Sequence, residues 1–155
     1  MVIIQEADFN TAELIARLRA GRAGDTGAIV TFTGYVRDYS PERPTQTLYL
    51  EHYPGMCERE IQALCATAAH RWNIVDSLVV HRVGALSNTD QIVFVGVASA
   101  HRGDAFRACE FIIDALKTQA PFWKRETLRS GEQFWVEQSE ADSDKTAAWL
   151  TSKPS

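Results

Sequence analysis

Apolar residues recur along the chain with the spacing of helices in some stretches and of strands in others. After Asn10, they recur at helical spacing until Gly21, and the same spacing returns through residues 58–72 and from Phe106 to a break at Pro121. The pattern predicts three helices, the first starting in a capping-box-like Asn10 and Glu13. The third is predicted to bury the stripe Phe106, Cys109, Ile113 and Leu116.

Runs rich in β-branched and aromatic residues predict strands between these helices. They cover residues 27–36, 47–53, 78–83 and 91–99, with a late hairpin formed by 122–128 and 133–137. A proline-rich stretch at 40–45 is expected to be a mobile loop, and the polar, acidic tail from about residue 139 is expected to be loose without a partner. Helices alternating with adjacent strand pairs predict an α+β fold.

The chain length bounds the number of domains. At 155 residues and 45% hydrophobic content, one good core is expected, so residues 1–155 are interpreted as a single domain. The sequence contains no apolar run long enough to span a bilayer, and its first residues lack the pattern of a signal peptide. We therefore expect a soluble, cytoplasmic protein.

Three cysteines bear on redox and metal chemistry. Cys57, Cys65 and Cys109 form no C-x-x-C pair, and their odd number fits reduced thiols better than a disulfide framework or a zinc site. Their positions in apolar helical stretches favour buried, unreactive thiols. If the protein handles sulfur, the sulfur is expected to come from outside the chain.

The charge of the chain is unevenly distributed. A net charge of −4 argues against broad binding of nucleic acid or anionic membranes. Residues 99–130, however, contain six Lys or Arg against four acids, whereas the remainder is strongly acidic. This pattern favours a local site for a small anion, with chance clustering on a solvated helix as the alternative.

Ser99-Ala-His-Arg lies where a strand is predicted to end and a helix to begin. Free backbone N–H groups there, together with His101 and Arg102, suit a phosphate group. The alternative is that both side chains merely occupy a helix start. Arg37, directly after the strand at 27–36, is a further candidate, because strand ends commonly present side chains into pockets.

Two lysines are the candidates for proton transfer or nucleophilic attack. Lys117 lies in the last predicted turn of the third helix, and Lys124 follows beyond the proline break. A lysine close to other cations in a partly apolar pocket loses its proton more easily. The alternative for Lys117 is that it complements the helix dipole.

Several blocks of sequence carry a family resemblance. They are VTFTGYVRD, LEHYPGM, HRVGAL, IVFVGVASAHR, LKTQAPFWKRE and FWVE, in this order between about residues 28 and 137. In this order the blocks resemble the large, catalytic subunit of molybdopterin synthase, the MoaE family. The resemblance implies an α+β fold like an α/β hammerhead with additional antiparallel β-structure.

The resemblance also implies an activity and partners. Such subunits are sulfurtransferases that move sulfur from the thiocarboxylated Gly-Gly end of a small ubiquitin-like, MoaD-type subunit to cyclic pyranopterin monophosphate. The pterin is substrate, so no cofactor and no metal are expected. A homodimer of large subunits would bind one small subunit at each end, giving a heterotetramer.

Residue roles follow from the matching motifs. Lys117 is implied as the principal catalytic lysine, with Lys124 beside it. The implied substrate-binding residues are Tyr35, Val36, Arg37, His101, Arg102, Lys117, Lys124, Arg125 and Glu126. The chain departs from the family pattern where many members have Lys in place of Tyr35, and where some have Arg near Gln138 and Ser139.

Two other functions compete with the sulfurtransferase. One is a module that binds a ubiquitin-like tail without chemistry, which would have no need for Lys117 and Lys124 beside an anion site. The other is an unrelated phosphate-ester enzyme, which would usually show a metal-binding cluster or a glycine-rich phosphate loop. The sequence shows neither of these motifs.

Overall fold

The computed structural model describes residues 1–37, 45–120, 122–135 and 140–151. Within these ranges the strands are β1 (Val2–Gln5), β2 (Ala28–Tyr35), β3 (Thr45–His52), β4 (Ile74–Arg82), β5 (Gly84–Ser87), β6 (Gln91–Ser99), β7 (Phe122–Leu128) and β8 (Gln133–Trp135). The helices are α1 (Thr11–Gly21), α2 (Met56–Arg71), α3 (Arg102–Gln119) and α4 (Glu140–Thr151). The predicted α+β class is confirmed.

The first sheet has the strand order β1-β4-β6-β2. β1 runs parallel to β4, and the other neighbours are antiparallel. β4 and β6 are central and covered on both faces, which explains why most residues of both strands are buried. The outer strand β2 is paired only to β6 among the described residues.

Helices cover both faces of this sheet. α2 and α3 bury their apolar faces on one side, where Ile61, Val95 and Ile112 belong to the main core. α1 packs on the other side through Leu14 and Leu18. The Asn10 carboxamide oxygen caps α1 by accepting hydrogen bonds from the backbone N–H groups of residues 12 and 13, at 3.0 and 3.2 Å.

The second sheet has the order β5-β3-β7-β8 and is antiparallel throughout. It supplies the additional antiparallel β-structure that was expected. Val36, Leu50 and Leu86 form a small core between the two sheets. β2 and β3 are consecutive in the sequence but lie in different sheets. Residues 38–44, between them, are outside the described part.

Residues 140–151 differ from the expected loose tail, because they form α4 on the surface of α3. The Trp149 indole nitrogen donates to the Asp114 carboxylate at 2.8 Å, and the Thr118 and Thr146 hydroxyls lie 2.7 Å apart. The Trp149 ring also contacts Trp72 and Phe111 edge-on. A polar helix with little amphipathicity is thus held by one aromatic anchor and by specific hydrogen bonds.

Other predictions on buried residues had mixed outcomes. Cys57 and Cys109 are buried and Cys65 is half-buried, as predicted. Phe106 was predicted in the core, and this is wrong: its side chain is 59% exposed.

Of the loop predicted at 40–45, residues 40–44 lie outside the described residues. No helix in the described ranges has the length and hydropathy needed to cross a membrane.

Candidate functional site

A cavity of about 940 Å³ opens where the end of α3 meets β2 and the second sheet. Much of its wall is apolar, formed by Phe32, Leu48, Ile92, Val93, Ile113, Leu116 and Phe122. Its polar lining is Thr33, Tyr35, Arg37, His81, Lys117, Lys124 and Glu126. An apolar wall with a few converging polar groups is typical of a binding site for a small organic molecule.

The cavity brings Lys117 and Lys124 together. Lys117 lies in the last turn of α3, which ends at Gln119 as expected before a proline, and Lys124 lies on β7. Lys117 is exposed, whereas Lys124 is half-buried. Neither ammonium group has an ion pair in the described part of the chain, so both are available to a ligand.

Burial lowers the pKa of Lys124, and the positive charge of Lys117 lowers it further. Asp142 on α4 acts in the opposite direction and raises the same pKa. An amine with a lowered pKa exchanges protons more readily near neutral pH. Lys124 is therefore the better placed of the two lysines for proton transfer.

Strand alternation explains which residues of β7 face the cavity. Lys124 and Glu126 point to the same face of the second sheet, and Glu126 is buried. Arg125 points to the opposite face, where its guanidinium lies 5.1 Å from the ring centre of Tyr49. The expectation that Arg125 lines the same cavity is thus corrected for the single chain.

The end of β2 contributes a second part of the wall. Tyr35, Val36 and Arg37, predicted from the motif to bind substrate, all line the cavity. The backbone of Val36 is fixed by two hydrogen bonds, its N–H donating to Asp90 and its carbonyl accepting from Thr89, both at 2.8 Å. The side chain of Tyr35, where many relatives are expected to have Lys, is 58% exposed and brings a hydroxyl instead of a charge.

His81 lines the cavity as well, and the sequence analysis did not identify it. Its ring stacks on Phe122, with centroids 4.0 Å apart and planes 15° apart. Burial lowers the pKa of His81 to about 4. The sequence carried a signal for it, because His81 directly follows the apolar run Leu78 to Val80 within a predicted strand.

The proposed phosphate ligands lie elsewhere. His101 immediately precedes α3 and Arg102 is its first residue, whereas Lys117 is near the other end. Fifteen residues of helix at 1.5 Å each separate Arg102 from Lys117 by about 22 Å along the axis. One chain therefore does not bring His101 and Arg102 to the cavity.

Residues 136–139, which include the departures Gln138 and Ser139, lie outside the described ranges. Among the residues that are described, no three His, Cys, Asp or Glu side chains are grouped to hold a metal ion. The cavity offers three cationic side chains (Arg37, Lys117 and Lys124), the Glu126 carboxylate, a neutral imidazole and an apolar wall. The cations and the apolar wall suit a flat ring with developing negative charge.

Comparisons with known proteins agree with this architecture. The family model for the MoaE protein matches residues 4–119. A molybdopterin synthase catalytic subunit from Ralstonia nicotianae is 49% identical over 146 residues, covering 94% of this chain and 82% of the relative. A solved structure of a molybdopterin biosynthesis MoaE protein from Burkholderia ambifaria MC40-6 is 43% identical with a TM-score of 0.83, covering 98% and 99% of the two chains.

A more distant solved structure shares the fold. It is a complex of subunits 1 and 2 of molybdopterin-converting factor from Helicobacter pylori 26695. The matched chain is 20% identical with a TM-score of 0.73, and the match covers 88% of this chain and 90% of that one. From the family match and the closely similar relatives, the chain belongs to the MoaE family.

Proposed function

We propose that this chain is the catalytic subunit of a molybdopterin synthase and acts as a sulfurtransferase. In this proposal, sulfur passes from the thiocarboxylated C-terminus of a small ubiquitin-like subunit to cyclic pyranopterin monophosphate. Two transfers form the dithiolene of molybdopterin. The observation that carries the proposal is the pairing of Lys117 and Lys124 in one cavity with an apolar wall.

Each transfer makes one carbon–sulfur bond on the pterin and breaks a carbon–oxygen bond at the same carbon, whose oxygen leaves as water or stays on the phosphate. It also breaks the bond between sulfur and the acyl carbon of the small subunit. The acyl carbon takes an oxygen atom from water and leaves as a carboxylate. Negative charge therefore develops on the acyl oxygen and is released again. The Lys117 ammonium would stabilise that charge, and Lys124 would accept and return a proton.

The partner would be a small MoaD-type subunit whose Gly-Gly end enters the cavity. Support comes from the solved complex of the two subunits of molybdopterin-converting factor, which shares the fold. The extended tail of the small subunit would enter the cavity beside the exposed Lys117. Backbone contacts and pockets for its side chains would hold it there. No resident cofactor is needed in this proposal, because the pterin is the substrate.

A second copy of the chain would complete the site. His101 and Arg102 suit a phosphate but lie about 22 Å from Lys117. The α3 surface between them carries the exposed Phe106, and the neighbouring edge strand β2 carries the 37% exposed Phe32. A homodimer that buries these rings could place the N-terminus of one α3 at the cavity of the partner, and two small subunits would complete a heterotetramer.

The test is reconstitution. The purified chain is mixed with a thiocarboxylated small subunit and cyclic pyranopterin monophosphate, and molybdopterin is detected by mass spectrometry. We expect product from the wild type and none from Lys117→Ala, which should still bind the small subunit. Partner binding without product in the wild type would favour a non-catalytic binding module instead.

Lys117→Arg separates charge from proton transfer. The variant keeps the positive charge, but the guanidinium stays protonated at neutral pH. If Lys117 acts through charge alone, as proposed, Lys117→Arg should recover much of the product lost in Lys117→Ala. Near wild-type turnover by Lys117→Ala would remove Lys117 from the mechanism.

A further inference from the structure

His81 is a polar cavity residue to which the proposed sulfur chemistry gives no role. It lies on β4, on the same face of the first sheet as the core residue Val79. Its side chain is buried against Phe122 of the second sheet, at the junction where the cavity forms. The ring is therefore fixed by packing from both sheets.

The hydrogen bond made by the His81 ring defines which of its two nitrogens can accept a hydrogen bond from a ligand. The His81 Nδ1 atom lies 2.8 Å from the backbone carbonyl oxygen of Arg82. A carbonyl oxygen only accepts, so Nδ1 carries the proton and Nε2 of the neutral ring carries a lone pair. No group in the described part of the chain donates a hydrogen bond to Nε2.

The cavity has few side-chain acceptors besides His81, namely the buried Glu126 carboxylate and the hydroxyls of Thr33 and Tyr35. Arg37, Lys117 and Lys124 are all donors, and they can serve the oxygen atoms and negative charges of a ligand. Phe122 and Lys124 lie two residues apart on the same face of β7. The His81 ring stacks on Phe122 and is therefore close to Lys124. A ligand N–H group would find a fixed, uncharged acceptor at His81.

We propose that His81 is a specificity-determining residue whose Nε2 atom accepts a hydrogen bond from a ring N–H of a pterin-type substrate. The apolar wall formed by residues such as Ile92 and Phe122 suits the flat ring, and the lowered pKa of His81 keeps the imidazole uncharged at neutral pH. The assignment rests on the proposed function, in which a pterin occupies this cavity.

Two substitutions separate the hydrogen bond from packing. His81→Phe keeps a planar ring against Phe122 but has no acceptor, whereas His81→Gln places an amide oxygen near the position of Nε2. For loss of one hydrogen bond, we expect KM for cyclic pyranopterin monophosphate to rise about tenfold in His81→Phe. The kcat should change little, and His81→Gln should restore much of the affinity.

A binding measurement keeps this test independent of turnover. Equilibrium binding of pterin, followed by its fluorescence, should be about tenfold weaker in His81→Phe than in the wild type. His70→Phe, at an exposed position on α2, should bind like the wild type. If wild-type protein makes no product but binds pterin in the expected order of variants, the proposed function fails and the role of His81 stands.

Thermal unfolding shows whether each variant is folded, and His81→Leu, which also lacks an acceptor, replaces His81→Phe if that variant does not fold. Equal pterin affinity in the wild type and the acceptor-free variant would overturn the proposal. So would a wild-type protein that binds no pterin, or a His81→Gln variant as weak as the acceptor-free one.

Discussion

Lys117 lowers the pKa of Lys124 across the cavity that both side chains line. The two residues are separated in the chain by the change from α3 to β7, so the tertiary fold brings them together. The same arrangement leaves one amine exposed to an arriving ligand and the other half-buried. In the proposed function, this difference in environment assigns charge stabilisation to Lys117 and proton transfer to Lys124.

Removing the charge of Lys117 should therefore change the proton affinity of Lys124. In Lys117→Gln the repulsion is gone, so the pKa of Lys124 should rise toward its ordinary value while burial still lowers it. At a given alkaline pH, less of Lys124 would then be neutral. NMR titration of ¹³C-labelled lysine can measure this, because the sequence contains only four lysines.

Lys145→Gln is the matched control for that titration. It also removes one positive charge, but from an exposed position on α4. The Lys124 resonance should titrate as in the wild type. An unchanged Lys124 titration in Lys117→Gln would show that the two amines do not interact.

Sharing of the site between two chains predicts complementation. Lys117→Ala and Arg102→Ala dimers should each have low activity at limiting pterin. In a mixed dimer, one site carries both substitutions and the other carries neither. Random mixing should therefore recover about a quarter of wild-type activity, because half of the dimers are mixed and each has one intact site.

Native mass spectrometry should verify that mixed dimers are present. If they form and activity does not recover, Arg102 and Lys117 do not act in the arrangement proposed here. As a control, two different substitutions of Lys117 should give no recovery on mixing, because every site then lacks the lysine.

The cysteines should be dispensable for sulfur transfer. Burial raises the pKa of Cys109 to about 12 and also raises the pKa values of Cys57 and Cys65, so thiolates are scarce at neutral pH. A variant with all three replaced by Ala or Ser should retain single-turnover transfer, with a loss of unfolding free energy from the buried sites. Loss of transfer in the folded cysteine-free protein would show that a thiol relays sulfur.

Trp149 should account for much of the stability of the α4 contact. Trp149→Phe leaves the buried Asp114 carboxylate without the indole donor, which should lower the unfolding free energy by about 1 to 3 kcal/mol. Trp149→Ala also removes the ring contacts and should cost more. Trp135→Phe, at an exposed position, is the control for urea denaturation. Equal stability of Trp149→Phe and the wild type would contradict this account of the contact.

The spacing of apolar residues predicted the long helices and strands, because the burial of one face dictates that spacing. The core strands β4 and β6 and the helices α2 and α3 bury residues at the spacing expected for their type. β1 and β5 were missed because four residues carry too little pattern to recognise. α4 was missed because its contact with α3 rests on tertiary hydrogen bonds and one aromatic ring.

The candidate site was predictable in part for similar reasons. Lys117 and Lys124 could be predicted from a motif, and strand alternation would have separated Arg125 from its neighbours in β7. The distance between Arg102 and the cavity follows directly from helix length. The role inferred for His81 required the structure, because its stacking partner comes from the second sheet.

The most direct test of the central claim follows the sulfur itself. The thiocarboxylate of the small subunit is prepared with ³⁴S, and the reaction is run with unlabelled protein and cyclic pyranopterin monophosphate. The proposed function predicts molybdopterin in which both dithiolene sulfurs carry the label, formed by the wild type and absent with Lys117→Ala. Product with unlabelled sulfur, or no product from the wild type with a competent small subunit, would contradict it.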